Sequence, residues 1–102
     1  MRIIKEGFLR RAAREYPKAA GYLEKWCKVV RAAVWRNVVE LRRTYPGTDL
    51  VKVQSGRRVL VFNVCRNDYR LIAAVHFNRQ IVYTLRFMTH AEYSRDQWKE
   101  EL

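Results

Sequence analysis

The sequence predicts an α+β fold: an N-terminal helical hairpin packed on a twisted antiparallel sheet, with a short C-terminal helix. Three observations predict it. Apolar residues recur at three- and four-residue steps through the first half of the chain, then at alternate positions from Leu50 onwards. Pro17 and Pro46 fall where the helical stretches pause or stop. At 102 residues and 49% hydrophobic content, the chain fits one domain, residues 1–102, with no linker or repeat.

Arg2-Ile3-Ile4-Lys5 is short and β-branched, which suits an edge strand. From Gly7 the pattern is helical, with Phe8, Leu9, Ala12, Ala13 and Tyr16 on one side and Arg10, Arg11 and Arg14 outside. Pro17 ends that helix and can open the next, where its missing N–H costs nothing. Leu23, Trp26, Cys27, Val30 and Val34 form the second apolar stripe, so the two helices pair as a hairpin. Asn37 caps a short third helix through Val38 and Leu41, stopped by Pro46-Gly47.

Four strands follow: Leu50 to Gln54, Val59 to Val64, Tyr69 to Phe77 and Ile81 to Met88, an antiparallel meander punctuated by turn clusters. Alternation puts Leu60, Phe62, Val64, Leu71, Val75, Phe77, Ile81, Tyr83, Leu85 and Phe87 under the helices. The opposite, open face carries Val59, Val61, Asn63, Arg70, Ile72, Ala74, His76, Val82, Thr84, Arg86 and Met88. A four-residue connection sets Asn63 opposite Arg70, and a three-residue loop sets Ile72 opposite Arg86, which makes Arg70 and Arg86 diagonal neighbours. Two like charges so placed are unfavourable unless an anion lies between them. Asp68 and Glu92 are the carboxylates near enough in sequence to supply it; with Asn63 alongside, a phosphate is the better answer.

Charge points the same way. The chain holds 21 Lys and Arg against 10 Asp and Glu, a formal +11 spread along its length. Such a body attracts polyanions, and guanidinium forks match phosphate oxygens, so nucleic acid is the expected partner. Cys27 and Cys65 belong to no metal spacing and predict a reducing, cytoplasmic compartment. No apolar run reaches membrane-span length, and Arg2, Lys5 and Arg10 interrupt any signal-like segment. No acidic cluster points to a metal, and no cofactor is expected.

Thr89-His90-Ala91-Glu92 has the form of a capping box, so a final helix starts at His90, with Trp98 and Leu102 packing. His90 and Tyr93, three apart, share a face at a helix end that favours anions. Met88 and Tyr93 also sit at the positions of a hydrophobic staple.

Val61-Phe62-Asn63, Asn67, Tyr69-Arg70-Leu71, Gln80-Ile81-Val82 and Thr89-His90-Ala91-Glu92-Tyr93 together resemble the HigB branch of the RelE-like toxins of bacterial toxin–antitoxin systems. The similarity extends more loosely back through Trp35 and Tyr45-Pro46. The resemblance implies a microbial RNase-like fold and activity against mRNA, commonly on the translating ribosome. It also implies a cognate antitoxin, often a helix-turn-helix protein of HigA type, through which alone operator DNA is contacted. Arg70 and Tyr93 fall where RelE-like enzymes keep an active-site arginine and a C-terminal tyrosine, and His90 belongs to the HigB-type signature. The family's second arginine, a few residues before the tyrosine, has no match at that spacing; Arg86 is the nearest substitute. Cys65-Arg66 stands where a small residue or glycine is expected before Asn67.

The expected reaction is metal-independent attack of the substrate's own 2′-hydroxyl on the adjacent phosphate. Arg70 and Arg86 stabilise the phosphate, His90 serves as acid or base, and Tyr93 stacks on a base or moves a proton. Asn63, Arg66, Asn67 and His76 are the expected RNA-binding set. Two other readings use the same basic face: a non-catalytic inhibitor of ribosome or topoisomerase, the latter as in the related ParE-like proteins, and a plain RNA-binding module.

Overall fold

The computed structural model describes residues 1–102. In chain order the elements are β1 (Arg2–Ile4), α1 (Glu6–Glu15), a 3₁₀ turn at Pro17–Ala19, α2 (Ala20–Ala32), α3 (Val38–Thr44), β2 (Asp49–Lys52), β3 (Arg58–Val64), β4 (Tyr69–His76), β5 (Ile81–Thr89), α4 (His90–Ser94) and α5 (Gln97–Glu101). Pro17 therefore opens a 3₁₀ turn rather than α2 itself. Because α2 ends at Ala32 and Ala33 is extended, Val34 leaves the apolar stripe and is 74% exposed, while Trp35 is buried. Asn37 caps α3 as expected, its side chain accepting the Glu40 N–H at 2.9 Å.

The sheet has the order β1-β5-β4-β3-β2. Strands β2 to β5 form the expected antiparallel meander, but β1 joins the free edge of β5 in parallel, so the whole sheet is mixed. The helices between β1 and the meander supply the long crossover that a parallel pairing needs.

Asn63 pairs with Arg70 across the turn at 65–68, as expected. The β4–β5 connection differs. His76 pairs with Ile81, so the loop has four residues instead of three, and Ala73 then faces Thr84. A one-residue change in loop length moves every following side chain to the other face. Val82 and Thr84 therefore lie on the helix side, both buried, and Ile81 and Tyr83 lie with His76 on the other. A bulge at Leu85 restores the expected pairing of Ile72 with Arg86. Leu85 itself packs on the side away from the helical hairpin. Thr84 satisfies its buried hydroxyl by donating to Ile4 O at 3.3 Å and Lys5 O at 3.1 Å, which ties β1 to β5.

Two cores result. The larger lies between the helices and the sheet, with Trp26 edge-on to Phe62 at 5.4 Å and Leu23, Leu41 and Leu71 fully buried. The smaller consists of Val53, Val59, Val61, Ile72, Met88 and Trp98, on the face expected to be open. That face is roofed by the end of the chain. The single final helix expected from the capping box breaks at Asp96, whose φ is 62°, and α5 turns back so that Trp98, 3% exposed, seals the valines beneath it.

Candidate active site

The site is built where the β3–β4 turn, the first residue pair of β4 and the start of α4 meet. Cys65 and Arg66 both take left-handed backbone angles, φ 52° and 65°, a conformation costing on the order of 1–3 kcal/mol at a non-glycine residue. The turn is held by its neighbours: Lys18 Nζ lies 2.6 Å from Asp68 Oδ2, and Cys65 Sγ donates to Lys18 O at 3.5 Å. The bond to Asp68 raises the Lys18 pKa above its ordinary value. From the other side, the His90 N–H donates to Asp68 O at 3.0 Å, fixing the start of α4 against the turn. The capping box forms as the sequence predicts, Thr89 Oγ1 accepting from Glu92 N at 3.2 Å and Glu92 Oε1 accepting from Thr89 N at 3.2 Å.

Arg70 lies at the centre, only 8% exposed. Its guanidinium donates to Tyr69 O at 3.0 Å, to Asn67 O at 3.2 Å and to Asn67 Oδ1, and it meets His90 Nδ1 at 3.3 Å. Every one of these partners is neutral. Asp68 is taken by Lys18 and Glu92 by the helix cap, so neither carboxylate neutralises Arg70, and none of the six ion pairs includes it. A buried cation without a counter-charge is costly, and an incoming anion relieves that cost.

Because guanidinium has no acceptor, its contact requires His90 Nδ1 to accept, which leaves the ring hydrogen at Nε2. Tyr93 completes the cluster. Arg70 sits 5.3 Å from the centre of its ring, and Trp98 stacks on it with centroids 5.2 Å apart and planes at 18°. The Trp98 indole also donates to Tyr93 O at 3.1 Å. Burial first, and then the charge of Asp49, push the Tyr93 hydroxyl above its ordinary pKa, so it stays protonated at neutral pH.

The remaining expected site residues are more dispersed. Arg86 is one diagonal step from Arg70 in register, but its Nε donates to Glu101 Oε2 at 3.3 Å and its guanidinium also to Leu85 O at 2.8 Å. Asn63 donates to Gly47 O at 3.3 Å and, with Arg66, borders a hollow of about 250 Å³ that is also lined by Tyr22, Tyr45 and Phe62. His76 sits at the far end of β4, edge-on to Tyr83 at 5.3 Å, six residues and so roughly 20 Å along the strand from Arg70. Two residues escaped sequence reasoning. Asp49 opens β2 one residue before the alternation that starts at Leu50, and Trp98 stacks on Tyr93 as well as packing. Only the break at Asp96 brings Trp98 there, and alternation carries no sign of it. No group of three or more His, Cys, Asp or Glu is placed to hold a metal ion, and no helix is long and apolar enough to cross a membrane.

Residues 19–96, three quarters of the chain, match the family described as HigB toxin, RelE-like toxic component of a toxin-antitoxin system. The chain belongs to the HigB toxin family. Among curated relatives, it is 30% identical over 93 residues to the mRNA interferase toxin HigB of Escherichia coli strain K12, covering 91% of this chain and 88% of that one. It is equally similar to the mRNA interferase HigB of Shigella flexneri, and 27% identical over 95 residues to that of Escherichia coli O6:H1, covering 93% of this chain and 90% of that one. The HigB match takes in Asn67, Arg70, His90 and Tyr93 and ends at the break before α5. As the toxic component of a toxin–antitoxin system, the chain has an antitoxin as its partner.

Proposed function

We propose that this HigB-family toxin is an mRNA interferase, an endoribonuclease that cuts mRNA on the ribosome by attack of the 2′-hydroxyl on the neighbouring phosphate. The observation that carries the reading is Arg70, a buried guanidinium whose protein partners are all neutral. Its fixed fork and uncompensated charge suit the phosphate, whose negative charge grows in the pentacovalent transition state. Tyr93, held between Arg70 and Trp98 with its hydroxyl protonated, offers an aromatic edge against the nucleotide. His90, carrying its hydrogen at Nε2, offers a hydrogen bond from that nitrogen to the phosphate or the leaving oxygen. Asn67 orients Arg70, and the hollow lined by Asn63 and Arg66 takes a neighbouring nucleotide.

Arg86 is half-exposed and held by a surface ion pair with Glu101, a weak contact that a second phosphate displaces. His76 extends RNA contact away from the reaction centre. No step calls for a metal or cofactor. The antitoxin in this reading is a helix-turn-helix protein of HigA type, and it alone meets operator DNA; toxin and antitoxin act in the cytoplasm, where the ribosomes are.

Primer extension on mRNA incubated with ribosomes and purified toxin tests the reading. Discrete stops that appear with the toxin and vanish with the antitoxin are expected. Arrest of translation without stops would replace cleavage by inhibition through binding.

A further inference from the structure

Removal of the proton from the attacking 2′-hydroxyl still lacks an acceptor. Arg70 remains protonated at any pH a protein survives. Tyr93 keeps its proton, and the Nδ1 of His90 is occupied by Arg70. Asp49 and Asp96 are the two carboxylates whose charges reach the Tyr93 hydroxyl. Asp96 is paired with Lys99 at 3.2 Å, whereas Asp49 takes part in no ion pair and is exposed.

We propose that Asp49 is the general base of the cleavage reaction, accepting the 2′-hydroxyl proton while Arg70 holds the phosphate; this rests on the ribonuclease reading above. Strand register supplies the geometry. Asp49, Val61, Ile72 and Arg86 form one row across β2, β3, β4 and β5, and Asn63, Arg70 and Met88 form the next. Val61, Ile72 and Met88 belong to the core that Trp98 covers, so Asp49 and Arg70 flank the same roofed face. With strands about 4.8 Å apart and a rise of about 3.4 Å per residue, the Cα atoms of Asp49 and Arg70 are roughly 12 Å apart. Arg70 lies 5.3 Å from the centre of the Tyr93 ring and the charge of Asp49 reaches that ring's hydroxyl, so a nucleotide seated against Tyr93 meets both groups.

In the step itself, the proton of the 2′-hydroxyl passes to the Asp49 carboxylate as the 2′-oxygen–phosphorus bond forms. The bond from phosphorus to the 5′-oxygen breaks, and that oxygen takes a proton from water, while the neutral His90 ring contributes a hydrogen bond from Nε2. The products are a 2′,3′-cyclic phosphate and a 5′-hydroxyl. The charged and titratable groups around this space are Arg70 from β4, Tyr93 and His90 from α4, the Lys99–Asp96 pair at α5 and the Arg86–Glu101 pair between β5 and α5. From β3 the row contributes only Val61. Asp49 is thus the unpaired acceptor among them.

The test compares wild type, Asp49→Asn and Asp49→Glu for cleavage of ribosome-bound mRNA across pH. Binding is measured in parallel to an RNA carrying a single 2′-deoxy nucleotide at the cut site. Asp49→Asn is expected to lower the cleavage rate by about 10²–10⁴-fold and to flatten the acid limb of the pH–rate profile. It should bind the 2′-deoxy RNA as tightly as wild type or more so, since it removes a negative charge, and Asp49→Glu should recover part of the rate. Wild-type cleavage by a folded Asp49→Asn, an unchanged acid limb, or weaker binding that accounts for the lost rate would overturn the assignment of Asp49 alone. Absence of cleavage by the wild type, or cutting of the 2′-deoxy RNA, would overturn the ribonuclease reading beneath it.

Discussion

Replacing Arg70 with alanine separates what this side chain does for the fold from what it does for the reaction. In the folded protein it makes three hydrogen bonds to oxygens of Asn67 and Tyr69 and one contact to His90. Asn67 is exposed, so its oxygens are rehydrated once the guanidinium is gone. At about 0.5–1.5 kcal/mol net per bond, offset by removal of a buried cation that lacks a counter-charge, the folding cost comes to about 1 kcal/mol. In a domain of this size that lowers the melting temperature by about 4–8 °C.

The expected catalytic cost is larger. Removal of a single preorganised donor to a developing oxyanion typically costs about 10²–10³ in rate. Loss of a two-donor fork with its charge should therefore cost on the order of 10³–10⁴ or more. Arg70→Lys keeps the charge but not the fork, and falls between the two. Single-turnover cleavage read by primer extension, alongside thermal melts of the same samples, measures both quantities. An alanine variant that is folded at the assay temperature and cleaves within about tenfold of wild type would refute the assignment of Arg70 to the phosphate.

Tyr93→Phe is expected to cleave at close to the wild-type rate and Tyr93→Ala far more slowly, because it is the ring that packs against Arg70 and Trp98; a large loss in Tyr93→Phe, measured by the same assay, would show proton transfer through the hydroxyl. Trp98→Ala removes a 3%-exposed indole from the smaller core, a truncation worth about 3–5 kcal/mol if the core stays in place. Since α5 is joined only through the break at Asp96, undocking of α5 should limit that loss, and hydrogen exchange should show Gln97–Glu101 unprotected while β3 and β4 stay protected. Tyr45, pushed up to about 12 by burial, binds its proton more tightly folded than unfolded. Its contribution to stability is complete below pH 10 and is lost as pH rises towards 12, which chemical denaturation at stepped alkaline pH will show as a falling midpoint; a flat midpoint would mean that the hydroxyl is not buried.

The sequence by itself determined the α+β class, the three N-terminal helices, the four-strand meander and the capping box, because each rests on local periodicity or on bonds within a few residues. The pairing of Asn63 with Arg70 was legible for the same reason: a short turn between two strong strands leaves little choice of register. So were Arg70, His90 and Tyr93 as a group, which α4 gathers by its start against the 65–68 turn.

Tertiary structure decided the rest. A four-residue loop and one bulge at Leu85 reversed the faces of Ile81 to Thr84 while leaving Arg86 where alternation put it, since strand alternation is blind to an inserted residue. The parallel docking of β1 depends on a partner nearly eighty residues away. The path of α5 depends on one left-handed residue, Asp96, and on the apolar face that Trp98 finds beneath it. From that docking come the roof over the sheet, the stack on Tyr93 and the Arg86–Glu101 pair, and none of these leaves a period in the sequence. The bare charge of Arg70 is likewise a tertiary fact, because only the fold shows that Asp68 and Glu92 are already committed elsewhere.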